Sequence, residues 1–334
     1  MGRLGRSTDI AVEPNASSFT RRLTAALLIA SSGITLAYTG AAIAMATQLV
    51  YDPPHPITRT PAAEGLQYRA VSFVSRQDHL TLKAWLVPGM LPGGRLTVDR
   101  TIIVVHGRDQ NRADLSGHLL GLEADLARRG FAVLAFDIRG MGESSPAPQS
   151  FGYFEQRDVL GAVDFLQTGP PAYPELGRPR AIGGLGLSYG AASLILAAAH
   201  EPAIRAIVSD SCYADVMPLL EREIPRQAHL PGFLTPGGLL AASVIYGIDY
   251  GQARPVAAIA GIAPRPLLII HGAADRDTPL SDAEALYAVA RSAPDSHVAL
   301  WEVTGATHAQ AFHVAGVEYV DRVTAFFNDA LGAG

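Results

Sequence analysis

Ala181-Ile182-Gly183-Gly184-Leu185-Gly186-Leu187-Ser188-Tyr189-Gly190 is the stretch on which the fold turns. It starts as an apolar run of strand length and ends as G-x-S-x-G, and residues 191–200 then have the composition of a helix. That order describes a sharp strand-to-helix turn that holds one serine hydroxyl out into a cleft. The glycines have a steric reason. Backbone packs on backbone there and the serine takes a positive φ, so neighbouring Cβ atoms would clash. The pattern predicts a nucleophilic Ser188 that forms acyl intermediates. The plainer alternative is an ordinary serine at the end of a small-residue strand.

Working outward from this turn, strands and helices alternate. Residues 68–75 and 80–87 alternate apolar and polar positions around a polar turn at Gln77-Asp78, which predicts an antiparallel hairpin. Residues 101–105 form a continuous apolar run, typical of a strand buried on both faces. Residues 115–129 carry Leu119, Leu122 and Leu126 at helical spacing and stop at Gly130, a helix-ending residue. Strands follow at 131–136, 181–185, 204–209, 266–270 and 297–303, and helices at 154–166, 191–200, 282–291 and 317–331. The alternation predicts an α/β fold with a mostly parallel, doubly wound, eight-stranded sheet and an antiparallel edge at its N-terminal side. Residues 216–262 are too many for a simple crossover, and Pro231-Gly232 and Pro236-Gly237 break them, so a small helical cap insertion is expected there.

The N-terminus is of another kind. No charged residue stands between Leu23 and Val50. A helix over that run would be about 40 Å long, more than the ~30 Å hydrocarbon core of a bilayer requires. Arg3, Arg6, Arg21 and Arg22 precede it against Asp9 and Glu13. A basic flank before an apolar run predicts a cytoplasmic tail at 1–22, a transmembrane anchor at 23–50 and everything later outside the cytoplasm. Ala44-Met45-Ala46 resembles a small-residue cleavage site, so a secreted product of signal cleavage is the alternative. Pro53, Pro54, Pro56 and Pro61 mark 51–67 as an extended linker into a domain at 68–334.

Composition bounds the chemistry. The 334 residues are 49% hydrophobic and 17% charged, with a net charge of -5 and no dense basic run, which argues against nucleic acid as a partner. Cys212 is the only cysteine, so an internal disulfide or a cysteine-based metal cluster is excluded. Gly184-Leu185-Gly186 is not followed by the glycine that a dinucleotide fingerprint needs, and no P-loop lysine motif exists. Neither a cofactor nor a metal is expected.

In a sheet of this type, ligands bind beyond the C-terminal strand ends. Those ends carry His106-Gly107-Arg108-Asp109, then Asp137-Ile138-Arg139-Gly140-Met141-Gly142-Glu143-Ser144, then Ser188, then His271-Gly272-Ala273-Ala274-Asp275-Arg276-Asp277-Thr278-Pro279, and last Gly305-Ala306-Thr307-His308. Serine, acid and histidine thus occur in the order Ser188, Asp275, His308. This is the order in which an α/β-hydrolase places its triad, and other serine-triad folds use different orders. His308 would be the base, Asp275 its orienting partner, and the backbone N–H groups of Tyr189 and Arg108 the oxyanion donors. Asp277 is an alternative acid, with Asp210 and Asp215 behind it. His106 and His271 suit hydrogen-bonded turn histidines, and Asp137 and Arg139 suit loop braces.

On these motifs the chain resembles the α/β-hydrolase superfamily over roughly residues 68–331. The Asp-x-Arg-Gly-x-Gly-x-Ser run and the His-Gly-x-x-Asp-x-x-x-Pro before a late Gly-Ala-x-His look like its dienelactone-hydrolase, prolyl-oligopeptidase-like and serine-aminopeptidase-like branches. The resemblance also places the acid nearest the His-Gly, at Asp275. It implies hydrolysis of an ester, thioester or amide through an acyl-serine without a cofactor. A membrane-anchored carboxylesterase acting on a small, lipid-like acyl substrate is the leading expectation, with Leu239-Leu240 and Val244-Ile245 as a candidate acyl-facing wall. A peptidase, holding a peptide amine on Glu221 or Glu223, is the second. A non-catalytic membrane scaffold is the third.

Overall fold

A computed structural model of the chain describes residues 16–114, 118–228 and 231–332. In chain order its regular elements begin with α1 (Ala16–Val50), β1 (Arg69–Val74), β2 (Thr81–Val87), the short strands β3 (Gly89–Met90) and β4 (Leu96–Thr97), and β5 (Arg100–Val105). Next come α2 (Leu119–Arg128), β6 (Ala132–Phe136), α3 (Gln156–Thr168), β7 (Ala181–Leu187), α4 (Tyr189–Ala198) and β8 (Ile204–Asp210). The chain continues through α5 (Val216–Ala228), α6 (Thr235–Tyr246), the one-turn α7 (Pro255–Ala258), β9 (Leu267–Gly272), α8 (Leu280–Ser292), β10 (Val298–Val303), the short α9 (Ala311–Ala315) and α10 (Val317–Leu331).

Eight strands form one sheet in the order β1-β2-β6-β5-β7-β8-β9-β10. β1 and β2 pair antiparallel, as do β2 and β6, and every other neighbour is parallel. This is the predicted architecture. Side-chain alternation along β5 explains the two layers of helices. Ile103 and Val105 face a core built with α3, α4 and α8, and Ile102 and Val104 face one built with α2 and α10.

The differences from the sequence expectation are local. The β3–β4 ribbon has two residues per strand, too few for a period-2 pattern to register. The helix after Ser188 begins at Tyr189 rather than at residue 191, because Gly190 masks its first turn. The predicted start of α2 at Leu115 lies outside the described residues, as do residues 1–15 of the tail expected at 1–22; residues 16–22 of that tail are already the first turns of α1.

The larger difference is at α1. Its last turns do not merely precede the domain. Ala42, Met45, Ala46, Leu49 and Val50 are buried in the core that also holds α3 and α4. Residues 51–67, expected as an extended linker, are tied down as well. The backbone N–H of Gln149 donates to Val50 O (2.9 Å), Asn111 Nδ2 donates to His55 O (3.1 Å), and Leu66 is buried.

Candidate active site

Ser188 sits in the turn between β7 and α4 with φ 52 and ψ −115, a left-handed conformation that a non-glycine residue holds only under constraint. Two glycines make the turn possible. A Cβ on Gly186 would lie 2.6 Å from Ala191 Cα, and one on Gly190 would fall onto the carbonyl oxygens of Val105 and His106. The second approach also brings the end of β5 against the turn, so that a Cβ on Gly107 would come 3.8 Å from Ser188 Cβ.

The ends of β9 and β10 bring the other two residues to the same place. Ser188 Oγ lies 2.7 Å from His308 Nε2, and His308 Nδ1 lies 2.8 Å from Asp275 Oδ2. The Asp275 carboxylate is fully buried. It accepts from the backbone N–H groups of Asp277 and Thr278, each at 2.9 Å, and from the Thr278 hydroxyl at 2.9 Å. Burial works against its charge, but His308 and these donors outweigh burial and hold the carboxyl below its usual range. His308 shows the opposite balance. Burial disfavours its imidazolium, yet the hydrogen bond and charge of Asp275, with the charges of Asp277 and Asp210, lift it above 6.5.

The other acids have other partners. Asp277 accepts from Arg226 at 2.8 Å, and Asp215 accepts from Arg254 Nε at 2.6 Å. Asp210 is buried, which raises its pKa, and it accepts from Ser211 Oγ and Tyr319 OH, both at 2.9 Å. Ser211 Oγ in turn accepts from the N–H of Ala309, next to His308, at 3.1 Å, so Asp210 braces the histidine loop. Asp137 accepts from the N–H groups of Arg112 (2.7 Å) and Glu143 (2.8 Å), and Arg139 donates to Asp158 (2.7 Å), the bracing expected of both.

Ser188 and His308 line a cavity of about 280 Å³ with Arg108 and Tyr189. Tyr189 is the first residue of α4, where amide groups lack helical acceptors. The Arg108 side chain reaches away from Ser188, donating to Asp52 Oδ2 (2.8 Å) and Leu49 O (3.1 Å). His106 fixes the backbone beside it. Its Nδ1 is 2.7 Å from Gly107 O and its Nε2 accepts from the N–H of Ile138 at 3.0 Å, which assigns a neutral ring protonated at Nδ1. Burial accordingly lowers its pKa.

Three features went unread in the sequence. Thr278 is one, although an Asp followed three residues later by Thr is a spacing that favours local carboxylate hydrogen bonds. Leu49 is another, since α1 supplies part of the cavity wall. The third is the cap. Leu240, Val244 and Ile245 are exposed and Leu239 is buried elsewhere, so none of the expected acyl-facing wall lines the cavity; Leu219, Leu220 and Ile224 of α5 line it instead. Glu221 is exposed, whereas Glu223 lines the cavity and accepts from Arg222 Nε at 3.0 Å and pairs with Arg226 at 2.6 Å.

Comparison with known proteins bears on the fold and the family. An esterase from Pyrococcus furiosus superposes with a TM-score of 0.68 at 25% identity, covering 85% of this chain and 99% of its own. The acylaminoacyl peptidase of Pyrococcus horikoshii shares the fold, with a TM-score of 0.57 at 18% identity over 79% of this chain and 42% of its own. The uncharacterized protein YfhR of Salmonella typhi is 28% identical over 255 residues, 74% of this chain and 77% of YfhR. The family model described as X-Pro dipeptidyl-peptidase (S15 family) matches residues 57–241. The esterase and the family model both name hydrolases, one of esters and one of peptides, and YfhR has no stated activity. With an eight-stranded α/β-hydrolase sheet and a family match over more than half its length, this chain belongs to the S15 peptidase family of the α/β-hydrolase superfamily.

Proposed function

We propose that this chain is a membrane-anchored serine hydrolase that cleaves carboxylic esters through an acyl-Ser188 intermediate. The observation that carries the reading is the hydrogen-bond chain from Ser188 Oγ through His308 to Asp275, at the edge of a cavity open to substrate. Ser188 Oγ attacks the ester carbonyl while His308 takes its proton. The ester C–O bond then breaks as His308 returns that proton to the departing alkoxide. Water, deprotonated by His308, next attacks the acyl carbon and frees Ser188. Asp275 holds the imidazole and stabilises its protonated form. The amides of Tyr189 and Arg108 stabilise the oxyanion, and each such donor is typically worth about 10²–10³ in rate.

The ester preference rests on the cavity wall. Leu49, Leu219, Leu220 and Ile224 offer apolar surface to an acyl group. The family match favours a peptidase instead, with Glu223 as the candidate holder of a peptide amine. Two guanidinium groups already compensate that carboxylate, which weakens it for the task. Turnover of p-nitrophenyl butyrate beside Ala-Pro-p-nitroanilide separates the readings. We expect the ester alone to be hydrolysed; nitroanilide release that disappears in Ser188→Ala would assign the enzyme to peptide bonds.

The raised pKa of His308 fixes the sign of the pH dependence. A base must be neutral, so kcat/KM rises with pH through a value above 6.5. Thr278→Val removes the hydroxyl that donates to Asp275 Oδ2. The carboxylate becomes more basic, the imidazolium is held more tightly, and the limb moves to higher pH. Hydrogen bonds to charged groups contribute ~1.5–3 kcal/mol, so kcat/KM at neutral pH should fall by about tenfold. A variant with the wild-type limb and rate would show that Thr278 does not position Asp275.

The anchor reading rests on α1, in which an 18-residue stretch within Phe19–Val50 has a mean hydropathy of 1.6 and the only charged residues of Phe19–Val50 are Arg21 and Arg22 at its start. By the charge bias of its flank, the hydrolase domain lies outside the cytoplasm.

A further inference from the structure

α1 and α6 lie side by side and run in the same direction. Tyr38 stacks on Phe233 with ring centroids 6.4 Å apart, and its hydroxyl donates to Phe233 O at 3.1 Å. Farther along α1, Thr47 Oγ1 and Tyr246 OH are 3.0 Å apart, and the Tyr51 ring meets Tyr246 edge-on at 5.7 Å. The outward side of α6 and its leading turn is apolar. Phe233, Leu240 and Val244 are 67%, 66% and 75% exposed, and their spacing repeats with the helical turn. No Asp, Glu, Lys or Arg stands between Arg226 and Asp249. Ile34, one turn before Tyr38 on α1, is exposed as well.

Helix length sets the depth. About 20 residues cover the ~30 Å hydrocarbon core. Counted from Leu23, just past Arg22, that length ends near Ala42, the first residue of α1 buried against the domain. Tyr38 then lies about 6 Å inside the boundary, and Phe233, stacked on it, lies at the same depth. A cavity of about 190 Å³ runs past Met45, Gln48 and Leu49 of α1, and it shares Leu49, Arg108, Asp109 and Ile224 as walls with the Ser188 cavity.

We propose that the leading end of α6, from Phe233 to about Leu240, is embedded with α1 in the bilayer leaflet nearer the hydrolase domain, and that the acyl chain of a membrane lipid reaches Ser188 from that leaflet through the cleft beside Met45, Gln48 and Leu49. The acyl route rests on the serine-hydrolase reading; the embedding of α6 does not. The apolar run along α6, its continuity with the membrane-length helix and the shared cavity wall all point to lipid as the occupant.

The test uses the full chain in phosphatidylcholine vesicles containing nitroxide-labelled lipid. Phe233→Cys and Leu240→Cys carry a fluorophore, with Cys212 buried away from the label. Arg180→Cys is the control, on an 84% exposed side chain just before β7. Strong lipid quenching at 233, somewhat less at 240 and little at 180 is expected. Equal quenching at all three overturns the embedding. So does a disulfide dimer through Leu240→Cys without lipid quenching, which would make the face a contact between two copies. For the route, Gln48→Trp narrows the cleft at an exposed residue. It should lower the turnover of vesicle-borne p-nitrophenyl palmitate relative to dissolved p-nitrophenyl acetate by about tenfold, the equivalent of losing roughly two buried methylenes. An unchanged ratio overturns the route. Fluorophosphonate labelling of the same samples keeps the two readings apart. If labelling fails, the Ser188 mechanism fails with it, and quenching still decides the embedding.

Discussion

Ser188→Ala lowers kcat for p-nitrophenyl butyrate by about 10⁶-fold, to the level left by binding and oxyanion donors alone. The size follows from what the substitution removes. The Oγ that lies 2.7 Å from His308 Nε2 is the only atom lost. The Cβ stays, so the turn at φ 52 and the packing of Gly186 and Gly190 are untouched. Stability should therefore change by less than about 1 kcal/mol, the range of substitutions that create neither a cavity nor a buried unpaired charge. His308→Ala should match the loss, and the double variant should be no worse, because the residues act as a unit. Full-chain protein in detergent, assayed for turnover and fluorophosphonate labelling, provides the measurement. Wild-type-like hydrolysis by Ser188→Ala would sink the mechanism. Loss of activity with a lowered unfolding temperature would mean that the serine served the fold.

Much of this site was legible because its chemistry follows strand ends. Ser188, Asp275 and His308 each come within a few residues of a strand whose apolar run is plain in the sequence, so finding the strands nearly finds the residues. His106 was legible only as a turn histidine. Its two ring contacts, to Gly107 O and to Ile138 N–H, join loops 32 residues apart, and no local pattern encodes that pairing. Thr278 was missed because its effect passes through Asp275, and a sequence motif marks the acid rather than the hydroxyl that supports it. The cap was misread for a different reason. A helix apolar on all sides has no period to say which side faces inward, and Leu239 and Leu240 accordingly turned out buried and exposed. The same uniformity hid the double role of α1. Its composition reports membrane compatibility, while the burial of Met45, Leu49 and Val50 depends on α6 and on the core, which are distant in sequence.

That double role makes the outcome of truncation depend on where α1 is cut. Among the described residues, deleting 1–37 removes only exposed helix from residue 19 on, and it should leave the unfolding midpoint in detergent near that of the full chain. Deleting residues 1–51 also strips Ala42, Met45, Ala46, Leu49 and Val50 from the core, together with the hydrogen bonds of Leu49 O and Val50 O to Arg108 and Gln149. At ~1.5–3 kcal/mol for each large side chain, the loss is about 5–9 kcal/mol as an upper estimate. That is comparable to the whole stability of a typical domain, about 5–15 kcal/mol. The shorter protein is expected to aggregate or to show no cooperative transition at 37 °C; a midpoint equal to that of the 1–37 deletion would show that α1 is dispensable to the fold. Cleavage after Ala46 falls between these cases. It would remove Met45 from its seat against Gly238 of α6 and leave that helix uncovered on its inner side too. The proposed anchor therefore predicts a mature protein that keeps Met45, and a mature N-terminus at Thr47 would overturn it.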